Sequence, residues 1–178
     1  MEYVTLVDEN DQVMGSAEKL EAHQKGLLHR AFSILLFDDS NRFLLQKRAS
    51  IKYHSPGLWT NSCCGHPRPG EATSVAATRR LQEELNLTVP LHLLFSFQYA
   101  CSFSNGLAEN EYDHVFVGRL NSSGDALNPN PDEVSEIRYI SEAQLRKEIL
   151  DSPENFTEWF KLLLPHYFNN IKDGKLGN

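Results

Sequence analysis

The chain has 178 residues, of which 40% are hydrophobic and 23% are charged, and this composition predicts one globular domain spanning residues 1–178. The formal net charge of −7 argues against nucleic acid or an anionic membrane as a partner. The N-terminus lacks a leader-like segment and no apolar run approaches the roughly 20 residues of a membrane span, so we expect a cytoplasmic protein with no membrane partner.

Alternating apolar and polar residues on either side of turn-forming residues predict three β-hairpins. Their strands are residues 3–7 with 12–14, 31–37 with 42–47, and 93–103 with 107–120. A further short strand is expected at 137–140, after a loop at 121–132 that is rich in Asn, Pro, Ser and Gly.

Helices are predicted between and after these hairpins. Ala77, Leu81 and Leu85 form an apolar stripe in a helix over 73–85, and Asn86 is a plausible left-handed cap at its end. A capping box starting at Ser141 predicts a helix to about residue 150. A last helix is expected around 156–164, which Pro165 should terminate or kink. The order of elements predicts an α+β domain in which helices cover a mixed sheet.

The segment 60–67, Thr-Asn-Ser-Cys-Cys-Gly-His-Pro, is the most unusual part of the sequence. Cys64 and His66 could share a zinc ion, but the chain has no Cys-x-x-Cys pair, so a structural zinc site is disfavoured. Cys64 could instead act as an acid or base, which requires a pKa moved by its surroundings. We expect Cys63 and Cys101 to be packing residues, and the odd number of cysteines favours reduced thiols.

Gly65, Glu71, Arg79, Glu83 and Glu84 lie at a distinctive spacing that runs into the following helix. This spacing resembles the Nudix box, in which carboxylates hold divalent cations on a diphosphate. The chain departs from the box at Arg80, where a glutamate is usual, and at Asn86, where glycine is usual. A salt-bridged surface helix would explain the charges but not the aligned Gly65 and Glu71.

Three histidines and two glutamates are candidate ligands for a divalent cation. His23, His29 and His66 lie in segments predicted to be loop or strand edge. Glu109 and Glu111 are two residues apart, so on a strand they share a face, where like charges repel unless a cation lies between them. The simpler interpretation is an exposed strand face. The functional interpretation is a mixed His/carboxylate site for Mg²⁺, Mn²⁺ or Zn²⁺.

Together these residues resemble the type 1 isopentenyl-diphosphate isomerases, which are Nudix-fold enzymes. The resemblance extends over most of the chain, to about residue 164. It rests on matching motifs, which include Leu28-His29-Arg30-Ala31-Phe32, Lys47-Arg48-Ala49, Trp59-Thr60-Asn61-Ser62-Cys63-Cys64-Gly65-His66-Pro67, Glu109-Asn110-Glu111 and Trp159. It implies an α/β/α sandwich and a 1,3-proton shift that interconverts isopentenyl and dimethylallyl diphosphate through a tertiary carbocation.

The resemblance also implies roles for individual residues. Cys64 would transfer a proton, and Glu111, with Tyr99 hydrogen-bonded nearby, would supply the opposing acid. Trp159 would lie over the carbocation. A divalent metal would be held by His23, His29, His66, Glu109 and Glu111. Glu84 would share a Mg²⁺ with the diphosphate, whose charge would be neutralised by Lys19, Arg48, Lys52 and Arg80.

The expected partner is therefore a small diphosphate substrate, and the protein is expected to be a monomer or weak homodimer. A Nudix diphosphate hydrolase is the rival interpretation, but it leaves Cys64 and the histidines without a role. A non-catalytic Nudix-like binding module is a third, although thiol, acid and candidate ligands are all present.

Overall fold

The computed structural model describes residues 2–52, 54–121 and 126–172. Parts of the predicted 121–132 loop and of the tail after Pro165 lie outside these ranges. The described elements are β1 (Tyr3–Val7), β2 (Val13–Glu18), α1 (Lys19–Lys25), β3 (His29–Phe37), β4 (Phe43–Arg48), β5 (Trp59–Thr60), β6 (Cys63–Gly65), α2 (Thr73–Leu85), β7 (Leu91–Ser102), β8 (Ala108–Arg119), β9 (Val134–Ile140), α3 (Glu142–Asp151), a 3₁₀ turn (Pro153–Asn155) and α4 (Glu158–Lys172). None of the helices described there is both long enough and apolar enough to cross a bilayer.

Strand β3 is the centre of the sheet. One edge of β3 pairs antiparallel with β1, β6 and β4 at successive positions. Its other edge pairs with β8 in parallel over the whole strand, from His29 opposite Glu111 to Phe37 opposite Arg119. Strand β7 extends the sheet beyond β8, and β9 pairs with β4. The sheet is therefore mixed, and β3 separates the strand that carries Cys64 from the strand that carries Glu111.

Helices cover both faces of this sheet. Because successive strand residues point to opposite faces, Leu35 of β3 packs with Phe160 of α4 in one core, while Ile34 packs with Leu81 of α2 in the other. All four side chains are almost fully buried, and each such burial stabilises the fold by about 2 kcal/mol. The predicted α+β fold with an α/β/α arrangement is confirmed.

Several local predictions are also confirmed. Helix α2 covers the predicted residues and ends at Asn86, whose φ of 56° is left-handed and whose N–H donates to the carbonyl of Gln82. The Ser141 hydroxyl accepts a hydrogen bond from the amide of Gln144, and α3 begins directly after it. The three predicted hairpins are all present.

Two predictions about secondary structure are wrong. His23 is in α1, not in a loop or strand edge; this helix has seven residues and ends at Gly26, whose φ is 60°, so it is too short to show clear periodicity. The predicted end of the last helix near residue 164 is also wrong, because α4 continues through Pro165 to Lys172. The buried Leu164 and Tyr167 on either side of Pro165 supply packing that offsets the hydrogen bond lost at proline. In addition, the short strands β5 and β6 were not predicted, and β9 starts at Val134 rather than at residue 137.

Candidate active site

A cavity of about 460 Å³ opens on one side of the sheet. Most of the site residues predicted from sequence line it, and these are Lys19, Arg48, Lys52, Cys64, His66, Arg80, Glu84, Tyr99, Glu109, Glu111 and Trp159. His23 and His29 are not part of this lining and are fully buried. The fold thus gathers into one place residues that are up to 140 positions apart in the chain, from Lys19 to Trp159.

The five predicted metal ligands form a single group, which we call the His/Glu cluster: His23, His29, His66, Glu109 and Glu111. One potential ligand atom from each lies within 4.8 Å of all the others. His23 comes from α1, His29 begins β3, His66 follows β6, and both glutamates are on β8. The parallel pairing of β3 with β8 sets His29 directly opposite Glu111.

Hydrogen bonds orient the imidazoles towards the centre of the His/Glu cluster. Nδ1 of His23 donates to the carbonyl of Lys19 at 2.6 Å, and Nδ1 of His29 donates to the carbonyl of Leu27 at 2.7 Å. Each bond directs Nε2 towards the centre of the cluster, and Nε2 is the atom through which a neutral imidazole in this orientation would bind a metal. The Nε2 atoms of His29 and His66 are only 3.2 Å apart, and His66 Nε2 lies 2.7 Å from Glu111 Oε1.

A divalent cation needs neutral imidazole and ionised carboxylate, and His66 and Glu111 are in these states. At His23, burial opposes protonation, but the contact with Glu109 outweighs it and raises the pKa. Burial lowers the pKa of His66 well below its usual value. Burial opposes ionisation of Glu111, but the neighbouring His29 and the hydrogen bond from the Tyr99 hydroxyl lower its pKa to about 2. Among the described residues, the buried Oε2 of Glu109 accepts no hydrogen bond. Imidazole and carboxylate together fit Mg²⁺, Mn²⁺ or Zn²⁺.

Cys64 and Glu111 reach the cavity from strands on opposite edges of β3. Burial raises the pKa of the Cys64 thiol to about 12, so the thiol holds its proton at neutral pH. The hydroxyl of Tyr99, which lies opposite Glu111 in the β7–β8 ladder, donates to Glu111 Oε2 at 2.5 Å. The site therefore contains a proton donor, a carboxylate and a phenol around one cavity.

Cys63 and Gly65 explain why Cys64 is the thiol in the cavity. Adjacent strand residues point to opposite faces, and Cys63 is fully buried in the core beneath α2. A Cβ on Gly65 would lie 3.2 Å from the ring of Phe32, which is tighter than an ordinary contact, so glycine leaves room for this side chain of β3. Cys101 is half-buried against the other core.

Cations surround the rim of the cavity, and each has a carboxylate or carbonyl partner. Lys19 contacts Glu2 at 2.8 Å. Lys52 pairs with Glu133. Arg80 bridges several carboxylates, which are Glu83 at 2.7 Å, Glu84 at 2.5 Å and Glu133 at 3.3 Å. Arg80 occupies the position where the Nudix box has a glutamate, and its positive charge therefore lies among these three glutamates.

Trp159 forms an aromatic part of the cavity wall and is only 4% exposed. The guanidinium of Arg48 lies 5.2 Å from the centroid of its indole, so this ring already makes one cation–π contact. Nε and Nη2 of Arg48 donate to the carbonyl of His54 at 3.4 and 3.2 Å.

Sequence reasoning missed three residues at this site. His54 is buried beside Glu109, and burial lowers its pKa to about 3, so its imidazole is neutral. Glu133 contacts two of the predicted substrate-binding cations. Asp113 is buried next along β8 and accepts a hydrogen bond from Ser33 at 2.8 Å. Only Asp113 carried a signal, because it continues the two-residue spacing of Glu109 and Glu111.

Glu71 of the Nudix-like segment lies outside the His/Glu cluster, and its hydrogen bonds hold the local fold together. Arg79 donates to both of its oxygens, at 2.8 and 2.9 Å, and the amide of Arg68 donates to Oε2 at 2.8 Å. These bonds tie the loop after β6 to the middle of α2. Hydrogen bonds from Arg79 lower the pKa of Glu71 from 4.5 to about 2.

We expect Glu71→Gln to destabilise the fold by about 2 kcal/mol at pH 7, because it removes a charge-assisted pair. A depressed carboxyl pKa stabilises the native state above the unfolded pKa, and that stabilisation is lost as pH falls towards the folded value. The difference in free energy of unfolding between the wild type and the variant, measured in urea, should therefore shrink as the pH falls from 4.5 to about 2. Glu9→Gln, at an exposed position, is the control. An equal deficit at pH 7 and pH 3 would contradict this role.

Comparisons with known proteins agree with this geometry. Residues 27–160 match the NUDIX domain. The chain is 51% identical over 163 residues to "Isopentenyl-diphosphate Delta-isomerase 2" of Photorhabdus laumondii, covering 92% of this chain and 90% of that protein. It is 47% identical to "Isopentenyl-diphosphate Delta-isomerase" of Serratia proteamaculans, covering 92% and 89%.

Solved structures support the fold alone. A protein of Deinococcus radiodurans superposes with a TM-score of 0.74 at 20% identity, covering 92% of this chain and 98% of that one. The MutT protein of Methanosarcina mazei gives a TM-score of 0.65 at 16% identity, covering 82% and 96%.

Proposed function

Because the chain belongs to the Nudix family and, within it, to the isopentenyl-diphosphate Delta-isomerases, we propose that its cavity interconverts isopentenyl diphosphate and dimethylallyl diphosphate. One observation supports this assignment to particular residues. A protonated thiol, a carboxylate that accepts a hydrogen bond from Tyr99 and several cations surround one cavity. A hydrolase has no use for the thiol.

The proton-transfer groups in this proposal are Cys64 and Glu111. The reaction adds a proton to one carbon of the allylic unit and removes a proton from another, so it needs an acid and a base separated by the substrate. In the resting form the thiol carries the proton and Glu111 is ionised. Transfer from Cys64 to the substrate and from the substrate to Glu111 gives a thiolate and a carboxylic acid. Glu111 therefore acts as the acid in the reverse reaction, which starts from the thiolate of Cys64 and the carboxylic acid of Glu111.

The surroundings of these groups would stabilise the tertiary carbocation formed between the two transfers. The buried indole of Trp159 presents a π face worth about 2 kcal/mol to a desolvated cation. The ring would also keep water from the side of the cation that it covers. A divalent metal in the His/Glu cluster, when bound, would stabilise the Glu111 carboxylate and so influence its proton affinity.

The rim of the cavity would hold the diphosphate. Lys19, Lys52 and Arg80 now contact carboxylates, and a diphosphate offers them more negative charge and bidentate geometry. Arg48 is the fourth cation of this group. Glu84, which is 4% exposed beside Arg80, would share a Mg²⁺ with the diphosphate oxygens.

A Nudix diphosphate hydrolase remains the second candidate, and one assay separates the two. The full chain is incubated with isopentenyl diphosphate, Mg²⁺ and Mn²⁺, and both dimethylallyl diphosphate and released phosphate are measured. We expect the isomer with no phosphate above the level without enzyme. Phosphate release without isomer would favour the hydrolase.

A further inference from the structure

His54 lies in the cavity wall but outside the His/Glu cluster, and three contacts immobilise its ring. Its imidazole stacks on Phe103, with centroids 5.4 Å apart and planes at 18°. It meets Trp159 edge to face at 5.5 Å and 87°. Its Nε2 lies 3.4 Å from Oε1 of Glu109, and the residue is 8% exposed. The ring is therefore held between the aromatic wall and one carboxylate of the cluster.

The two oxygens of Glu109 face different histidines. Oε2 lies 3.1 Å from Nε2 of His23, inside the His/Glu cluster, whereas Oε1 faces His54. A carboxylate that binds a cation through one oxygen is commonly oriented by a donor on the other oxygen. The 3.4 Å separation closes to a hydrogen bond if either side chain moves by about 0.5 Å.

The main chain of His54 makes a second connection. Its carbonyl accepts from Nε and Nη2 of Arg48, and the Arg48 guanidinium lies over Trp159. One residue thus contacts a cluster glutamate through its side chain and a candidate diphosphate ligand through its backbone. Substituting the side chain removes the first contact and leaves the second available.

We propose that His54 is a positioning residue that donates from Nε2 to Oε1 of Glu109, directs Oε2 into the His/Glu cluster, and so raises its affinity for the metal. This inference rests on one part of the proposed function, which is the binding of a metal by the His/Glu cluster. His54 acts through Glu109 and does not itself touch the substrate in this proposal.

The test is a titration of the metal-stripped full chain with Mn²⁺ alone, followed by electron paramagnetic resonance of free Mn²⁺. His54→Phe keeps a planar ring between Phe103 and Trp159 but removes the donor, and we expect the Kd to rise by about 10-fold to 100-fold. His54→Gln retains an N–H donor and should recover part of the loss. His92→Phe, at an exposed position on β7, is the matched control and should bind as the wild type does. Melting temperatures of the metal-free variants report on folding.

The outcomes separate this inference from the proposed function. Tight Mn²⁺ binding by the wild type with an unchanged Kd in His54→Phe would overturn the role of His54 and leave the isomerase assignment intact. A wild-type protein that isomerises the substrate but binds no Mn²⁺ would overturn both the metal at the cluster and the role of His54. Weakened binding in His54→Phe with partial recovery in His54→Gln supports it. Equal weakening in both variants would contradict the requirement for a donor.

Discussion

Replacing Cys64 with alanine is expected to lower kcat for isomerisation by about 10³-fold or more, because one of the two proton-transfer groups is lost. Cys64 is half-buried in the cavity wall and packs at the edge of one hydrophobic core rather than inside it. The fold and the His/Glu cluster should therefore survive, with metal content and melting temperature close to those of the wild type. Turnover of isopentenyl diphosphate, metal content and thermal unfolding are measured on the same sample.

Cys63→Ala is the matched control for this substitution. The neighbouring thiol is fully buried beneath α2, so its loss should cost about 1 kcal/mol of stability through the small cavity left behind. Its kcat should stay within a few-fold of the wild type. Wild-type turnover by Cys64→Ala would remove Cys64 from the mechanism, and equal losses in both variants would indicate a structural effect.

Glu111→Gln should have a comparably large effect, because Glu111 is the second proton-transfer group and also a member of the His/Glu cluster. We expect kcat to fall by about 10³-fold or more and Mn²⁺ affinity to fall as well, since a neutral amide is a poorer ligand. The amide preserves the size of the side chain, so the loss of a hydrogen bond from Tyr99 or His66 is the main structural change. Initial rates at saturating Mn²⁺ separate the two effects.

Tyr99→Phe serves as the comparison for Glu111→Gln. It removes the hydroxyl that donates to Glu111 Oε2 while leaving the carboxylate and the cluster in place. A hydrogen bond to a charged group is worth about 2 kcal/mol, so kcat should fall by about 30-fold and Mn²⁺ affinity should change little. Full activity of Glu111→Gln at saturating Mn²⁺ would show that Glu111 is only a ligand.

Local periodicity explains which site residues could be predicted from the sequence. Glu109 and Glu111 could be assigned to one face of a strand because strand side chains alternate, and burial along β8 alternates accordingly. The assignment of Cys64 rather than Cys63 followed from the family resemblance, whose motif has the thiol directly before Gly65 and His66. Helix α2 was predictable with its end because Asn86 adopts the left-handed conformation readily.

Long-range contacts explain what local sequence patterns, without the family resemblance, could not predict. His29 meets Glu111 only because β3 and β8 pair in parallel, 82 positions apart. His23 arrives on a seven-residue helix with no clear pattern. His54 and Glu133 carry no local signal at all, since each is positioned by side chains from distant elements. The sequence therefore predicted the proton-transfer groups better than residues such as His54 and Glu133, which contact the predicted site residues.

Isomerisation in deuterated water tests the central claim most directly. Protonation of the terminal alkene carbon by an exchangeable group creates a methyl group, so the account predicts dimethylallyl diphosphate with deuterium in a methyl group and no phosphate release. Nuclear magnetic resonance locates the label, and a phosphate assay follows the same reaction. Phosphate release with no deuterium in the recovered substrate or product would contradict the isomerase and leave the Nudix hydrolase.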